Sequence, residues 1–168
     1  TGNLVSQEGK HFGYQLTFFR RAITPTTELV PRTSNWAARQ VYLAHFTITK
    51  VDDSVFKYYE KLDRGAAGLA GATGDPSFQV WLNDWQVIQI EPDVYTLTAS
   101  EEDLHLTLTL TDLKSPILHG NAGWSQKGPQ PGNASYYISQ TRLLTTGELG
   151  MGDQVYSVTG TSWMDHEF

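Results

Sequence analysis

The chain has 168 residues, enough for one domain that buries a sizeable core or lines a ligand cavity. Hydrophobic residues make up 39% and charged residues 18%, which excludes a disordered chain. A net charge of -6 without a basic cluster larger than Arg20–Arg21 leaves no footprint for nucleic acid, and no apolar run approaches the roughly 20 residues of a membrane span.

Phe12, Tyr14, Leu16 and Phe18 alternate with Gly13, Gln15, Thr17 and Phe19, which predicts a strand over 12–21. Glu8-Gly9 suits a hairpin turn back to a strand over 3–6. Residues 24–35, with Pro25 and Pro31, read as loop. A second long strand is predicted over 41–50 and a short one over 58–62. Residues 64–77 carry Gly65, Gly68, Gly71 and Gly74 and read as loop or at most one helical turn. Strands over 78–82 and 85–90 flank Asn83-Asp84, a two-residue turn. Strands over 95–99 and 104–110 form a further hairpin, in which Leu104, Leu106, Leu108 and Leu110 share one face.

Residues 114–134, rich in Gly, Pro and Asn, read as a long irregular stretch, and loops of that length tend to be functional. A strand over 135–145 follows, and 148–151 with 154–163 forms the final hairpin about Gly152-Asp153. No segment shows sustained helical periodicity. Eight to ten strands joined as neighbouring hairpins predict an all-β antiparallel barrel over 1–168, whose interior at that strand number holds one small ligand.

The last eleven residues, VTGTSWMDHEF, carry the densest polar group. Strand alternation puts Trp163, Asp165 and Glu167 on one face and Met164, His166 and Phe168 on the other. A carboxyl in an aromatic pocket stays protonated near neutrality and serves as an acid. The plainer alternative pairs Asp165 and Glu167 with Arg20, Arg39 or Arg142. His45, in register with Val41 and Leu43, relays a proton if that face lines the barrel, or is otherwise satisfied within the core. Trp163 and Trp36 among the aromatics, with Gln15, Gln126 and Tyr137 as polar points, are candidates to line an apolar ligand cavity.

Ser125 sits in G-W-S-Q-K-G, which is not a nucleophile elbow, so a serine hydrolase is unsupported. There is no Cys and no phosphate-binding glycine motif. His45, His119, Asp165 and His166 assemble into a metal site only on paper, without ligand spacing; neither metal nor cofactor is expected.

The strings TGNL, FGYQLTFFRRA, WAARQVYLAHFTIT, RGAAGLAG, LHLTLT, LHGNAGWSQKG, GNASYYISQTRL and VTGTSWMDHEF resemble the AttH-like family of lipocalin-like proteins, which includes carotenoid 1,2-hydratase relatives and many members labelled only as secreted hydrolases. The resemblance implies a lipocalin-like (calycin-type) β-barrel, the first of two such barrels. It further implies a chain cut at both ends, a missing second barrel as intramolecular partner, and a bacterial protein outside the cytoplasm, secreted, periplasmic or lipid-anchored. It implies a large apolar, isoprenoid- or lipid-like ligand and hydro-lyase chemistry at a C=C bond, with a non-catalytic carrier of the cell envelope as the alternative. The motif positions are His45, Ser125 to Gly128, and Trp163 to Glu167.

Overall fold

Alternation of apolar and polar side chains dictates nearly all of this architecture, because each strand must present one face to a core and the other to water. The computed structural model describes residues 1–23, 34, 36–130 and 132–168. In chain order the strands are β1 (Gly2–Ser6), β2 (His11–Ala22), β3 (Gln40–Lys50), β4 (Val55–Arg64), β5 (Ala70–Thr73), β6 (Gln79–Leu82) and β7 (Trp85–Glu91). They continue as β8 (Val94–Glu101), β9 (Leu104–Asp112), β10 (Ile117–Leu118), β11 (Trp124–Gln126), β12 (Ala134–Met151) and β13 (Gln154–Glu167). Among the described residues there is no helix.

Eleven strands form one antiparallel path, β4-β3-β2-β1-β13-β12-β9-β8-β7-β6-β5, while β10 and β11 pair only with β12. The path curls into a nearly closed lipocalin-like barrel. Its two end strands, β4 and β5, share no hydrogen-bond ladder. Side chains of β4 reach instead to the β6–β7 and β8–β9 turns. Lys57 Nζ lies 2.5 Å from Asp103, and Tyr59 donates to Glu102 at 2.9 Å. Lys61 Nζ lies 2.5 Å from Asp84 and 2.9 Å from Glu101, with its ammonium 4.5 Å above the Trp85 ring. The Lys61 stem packs over the buried Trp85 indole while the carboxylates stay partly exposed around its ammonium.

The inward side chains fill the barrel. Leu4, Phe12, Phe46, Ile48, Leu82, Trp85, Leu104, Leu106 and Leu108 expose 1% of their surface or less, which leaves no water-sized void beside them. Half-buried Leu16, Phe18, Phe78, Val80 and Met164 mark the less tightly enclosed part of the interior. A buried hydroxyl cluster sits within the core. Tyr14 Oη and Thr145 Oγ1 each lie 2.6 Å from Ser162 Oγ.

Three sequence expectations change. The glycine-rich stretch 64–77 contains β5, where Gly71 faces Trp81; a Cβ there would stand 2.3 Å from the indole, so the glycine makes room for the ring to lie across the strand. The short strand expected over 58–62 extends to Val55–Arg64. The stretch 114–134 contributes β10 and β11, which continue the sheet along β12 beyond the end of β9. The loop expected over 24–35 lies, apart from Ser34, outside the described residues.

Candidate functional site: the outer face of β12 and β13

Where β12 and β13 run past the end of β9, their alternation decides what can meet. Tyr156, Val158 and Ser162 are buried, so Met164 and His166 continue the inward face and Trp163, Asp165 and Glu167 point outward. The ladder register places Ser139 opposite Asp165 and Tyr137 opposite Glu167, on that same outward side. A bulge sets Thr141 and Arg142 against Trp163, between the Gln140–Met164 and Leu143–Ser162 pairs. The extra residue keeps Gln140 and Leu143 both inward while bending the strand.

The segment after β10 completes the group. His119 donates its backbone N–H to Tyr137 O at 3.0 Å. That holds its ring stacked on Tyr137, with 4.0 Å between centroids and an 18° tilt. His119 Nε2 lies 2.7 Å from Ser139 Oγ, and Ser139 Oγ donates to Asp165 Oδ1 at 2.5 Å. Tyr137 Oη donates to the same oxygen at 3.1 Å. Glu167 accepts from Ser135 at 2.8 Å and pairs with Lys127 at 2.9 Å, whose ammonium lies 4.8 Å from the Tyr137 ring. Trp163, 47% exposed, stands beside Asp165 on the same face, and a shallow cleft of about 220 Å³ between β1, β12 and β13 abuts it.

The electrostatics differ from those expected for a buried acid. Partial burial pushes the Asp165 carboxyl up, but hydrogen bonds from Ser139, Trp163 and Tyr137, with His119 nearby, hold it below the usual 3.8. Glu167 is held below 4.5, chiefly by Lys127 and then Ser135. Both are therefore carboxylates near neutrality. The plainer expectation of a partner for these groups is met by Lys127 for Glu167, and Arg20, Arg39 and Arg142 form no ion pair with either among the described residues.

The other sequence candidates lie elsewhere. His45 faces outward on β3, because Tyr42, Ala44, Phe46 and Ile48 take the core side. Its ring sits between Phe19 and Tyr58, with Nε2 3.2 Å from Glu60 Oε2 but outside hydrogen-bonding geometry. His166 faces inward between Phe78 and Phe168, 4.9 Å from each ring centroid. Gln15 is exposed on the outer face and bonds Thr17 at 2.9 Å. Gln126 closes its own turn by donating to Gly128 O and Gln130 O. Trp36 is 62% exposed in the segment before β3. Of the expected group, only Asp165, Glu167, Trp163 and Tyr137 come together. Ser139, Ser135 and Lys127 join them unforeseen, as does His119, which the sequence offered only as a metal ligand. The period-2 run Ser135-Tyr136-Tyr137-Ile138-Ser139 matches Trp163-Met164-Asp165-His166-Glu167, and pairing those two alternations is the signal that reveals the hydroxyls.

An all-β antiparallel barrel with a carboxylate–hydroxyl–imidazole cluster on its sheet extension defines a lipocalin-like protein by fold. The AttH-like family model matches residues 1–168, and the chain belongs to that family. A crystal structure of a protein assigned to AttH from Nitrosomonas europaea is 33% identical, with a TM-score of 0.83 over 99% of this chain and 48% of its own. Kievitone hydratase from Nectria haematococca has a TM-score of 0.76 over 99% of this chain and 46% of its own; at 7% identity the likeness is one of fold. The chain thus spans less than half the length of either structure. No curated protein matches it.

Proposed function

We propose that this barrel serves a hydro-lyase that adds water to a C=C bond of an isoprenoid-like apolar molecule, at the outer face of β12 and β13. The observation that carries the reading is the convergence of Asp165, Ser139, His119 and Tyr137 beside the exposed Trp163. Hydration needs an acid to protonate carbon, a π face or carboxylate to stabilise the cation, and a base to take the proton of the captured water. Asp165 is the acid in this scheme. It is ionised in the free protein, and an apolar ligand laid over it would strengthen the desolvation that already opposes ionisation, favouring the protonated form. Trp163 stabilises the cation, and His119 takes the proton-relay role the sequence offered to His45. Glu167, tied to Lys127, fixes Lys127 over Tyr137.

Likeness in fold to a hydratase and membership of the AttH-like family support this reading. In it the second barrel implied by the family covers the site in a protein working outside the cytoplasm. The ionised carboxylates favour a second reading, a non-catalytic carrier of an apolar molecule. Lycopene, with isoprenoid C=C bonds at its ends, separates the two. The full-length protein should convert it to a product heavier by one water, and Asp165→Asn should abolish conversion while retaining bound lycopene. Lycopene that is bound stoichiometrically and recovered unchanged would establish the carrier, and unaltered conversion by Asp165→Asn would remove Asp165 from the chemistry.

A further inference from the structure

We infer that the Ser139 hydroxyl is a proton conduit from His119 to Asp165, which lets one site both supply and recover the proton of hydration; this deepens the hydratase reading and rests on it. The direction follows from counting hydrogens. An ionised carboxylate only accepts, and a serine hydroxyl has one hydrogen to give. Ser139 Oγ stands 2.5 Å from Asp165 Oδ1 and 2.7 Å from His119 Nε2. Its residue is 1% exposed, so water has little room to compete. The single hydrogen therefore goes to Asp165, and His119 must donate Nε2–H to Ser139. In the neutral imidazole, that leaves Nδ1 as the ring's lone pair. Tyr137 fixes both ends, its hydroxyl on Asp165 and its ring against His119.

The arrangement is the reverse of a nucleophilic serine, whose hydroxyl donates to the histidine. Here the hydroxyl is committed to the carboxylate and is not activated by the imidazole. The step balances. Asp165 gives its proton to one alkene carbon, a C–H bond forms, and the π bond becomes a cation at the other carbon. Water adds there and its proton passes to His119 Nδ1. Nε2–H moves to Ser139, whose own hydrogen moves to Asp165. The product gains one water and the three side chains regain their protons, with the imidazole now the other tautomer until the hydroxyl and ring protons reset through water. The other charged or titratable groups around this line are Glu167 with Lys127, Tyr137, and the Thr1 amino group across β1.

Nitrogen-15 NMR of the His119 ring reads the wire without substrate. The neutral ring should carry hydrogen on Nε2 and a lone pair on Nδ1. A neutral ring with its hydrogen on Nδ1 would overturn the conduit. Ser139→Ala should raise the midpoint of Asp165 titration and abolish the tautomer preference, and Ser139→Thr should restore both; an alanine variant that alters neither overturns it too. With lycopene, Ser139→Ala should cut turnover about 100-fold with ligand retention kept, rescued by Ser139→Thr. The ring measurement stands whether or not lycopene is hydrated, so failure of the conduit and failure of the hydratase reading are told apart.

Discussion

His166 and Tyr14 both face the interior, yet they couple stability to pH with opposite consequences. Burial, and secondarily Arg20, lowers the His166 pKa below 6.5, so the unfolded chain takes up a proton that the folded chain refuses. Stability from this group is complete above 6.5 and is lost as pH falls through the folded value. His166→Gln should flatten the decline in denaturation midpoint as pH falls below about 6.5. Burial raises Tyr14 to about 12, against hydrogen bonds from Ser162 and Thr145 that pull it down. Its contribution is full below the usual tyrosine value of 10.0 and disappears as pH climbs to about 12. Tyr14→Phe should remove that alkaline slope at a cost of about 1 kcal/mol at neutral pH, since Ser162 and Thr145 still bond each other. Asp165 and Glu167, both held low, act at the acid end: what they contribute is present above their ordinary values and is lost as pH falls through the folded ones.

The long β12–β13 pair depends on glycines where another strand's backbone comes close. A Cβ on Gly160 would lie 2.0 Å from Asn3 O, so Gly160→Ala must push β1 away from β13. A loss of about 1–3 kcal/mol in chemical denaturation is the expected result. Strands of this kind were readable wherever apolar residues alternate for several turns of the pleat, as from Leu104 to Leu110 or Phe12 to Phe18. β5 was not, because Ala70-Gly71-Ala72-Thr73 has no alternation and its glycine serves Trp81 on another strand. Nor were β10 and β11, which at two and three residues carry no period at all. Within the candidate site, alternation gave Trp163, Asp165 and Glu167 a common face but was silent on whether that face was inside. The answer depends on which neighbours bury Tyr156 and Val158. The approach of His119 to Ser139 depends on the pairing of β10 with β12, a contact between segments 20 residues apart that no local pattern announces.

At the scale of the molecule, the barrel's wall is a continuous ladder everywhere except between β4 and β5, and beside that gap Lys57, Tyr59 and Lys61 of β4 reach Asp84 in the β6–β7 turn and Glu101, Glu102 and Asp103 at the β8–β9 turn. Lys61→Met keeps most of the packing over Trp85 while removing both ion pairs and the cation–π contact, and should cost about 1 kcal/mol, more at low ionic strength than in concentrated salt. Its local signature is sharper than its global one. A cylinder stitched by backbone bonds on every side but one has a preferred place to split. Deuterium uptake should therefore begin at the free amides of β4 and β5, long before the Leu104–Leu110 stave exchanges, and Lys61→Met should hasten it there alone.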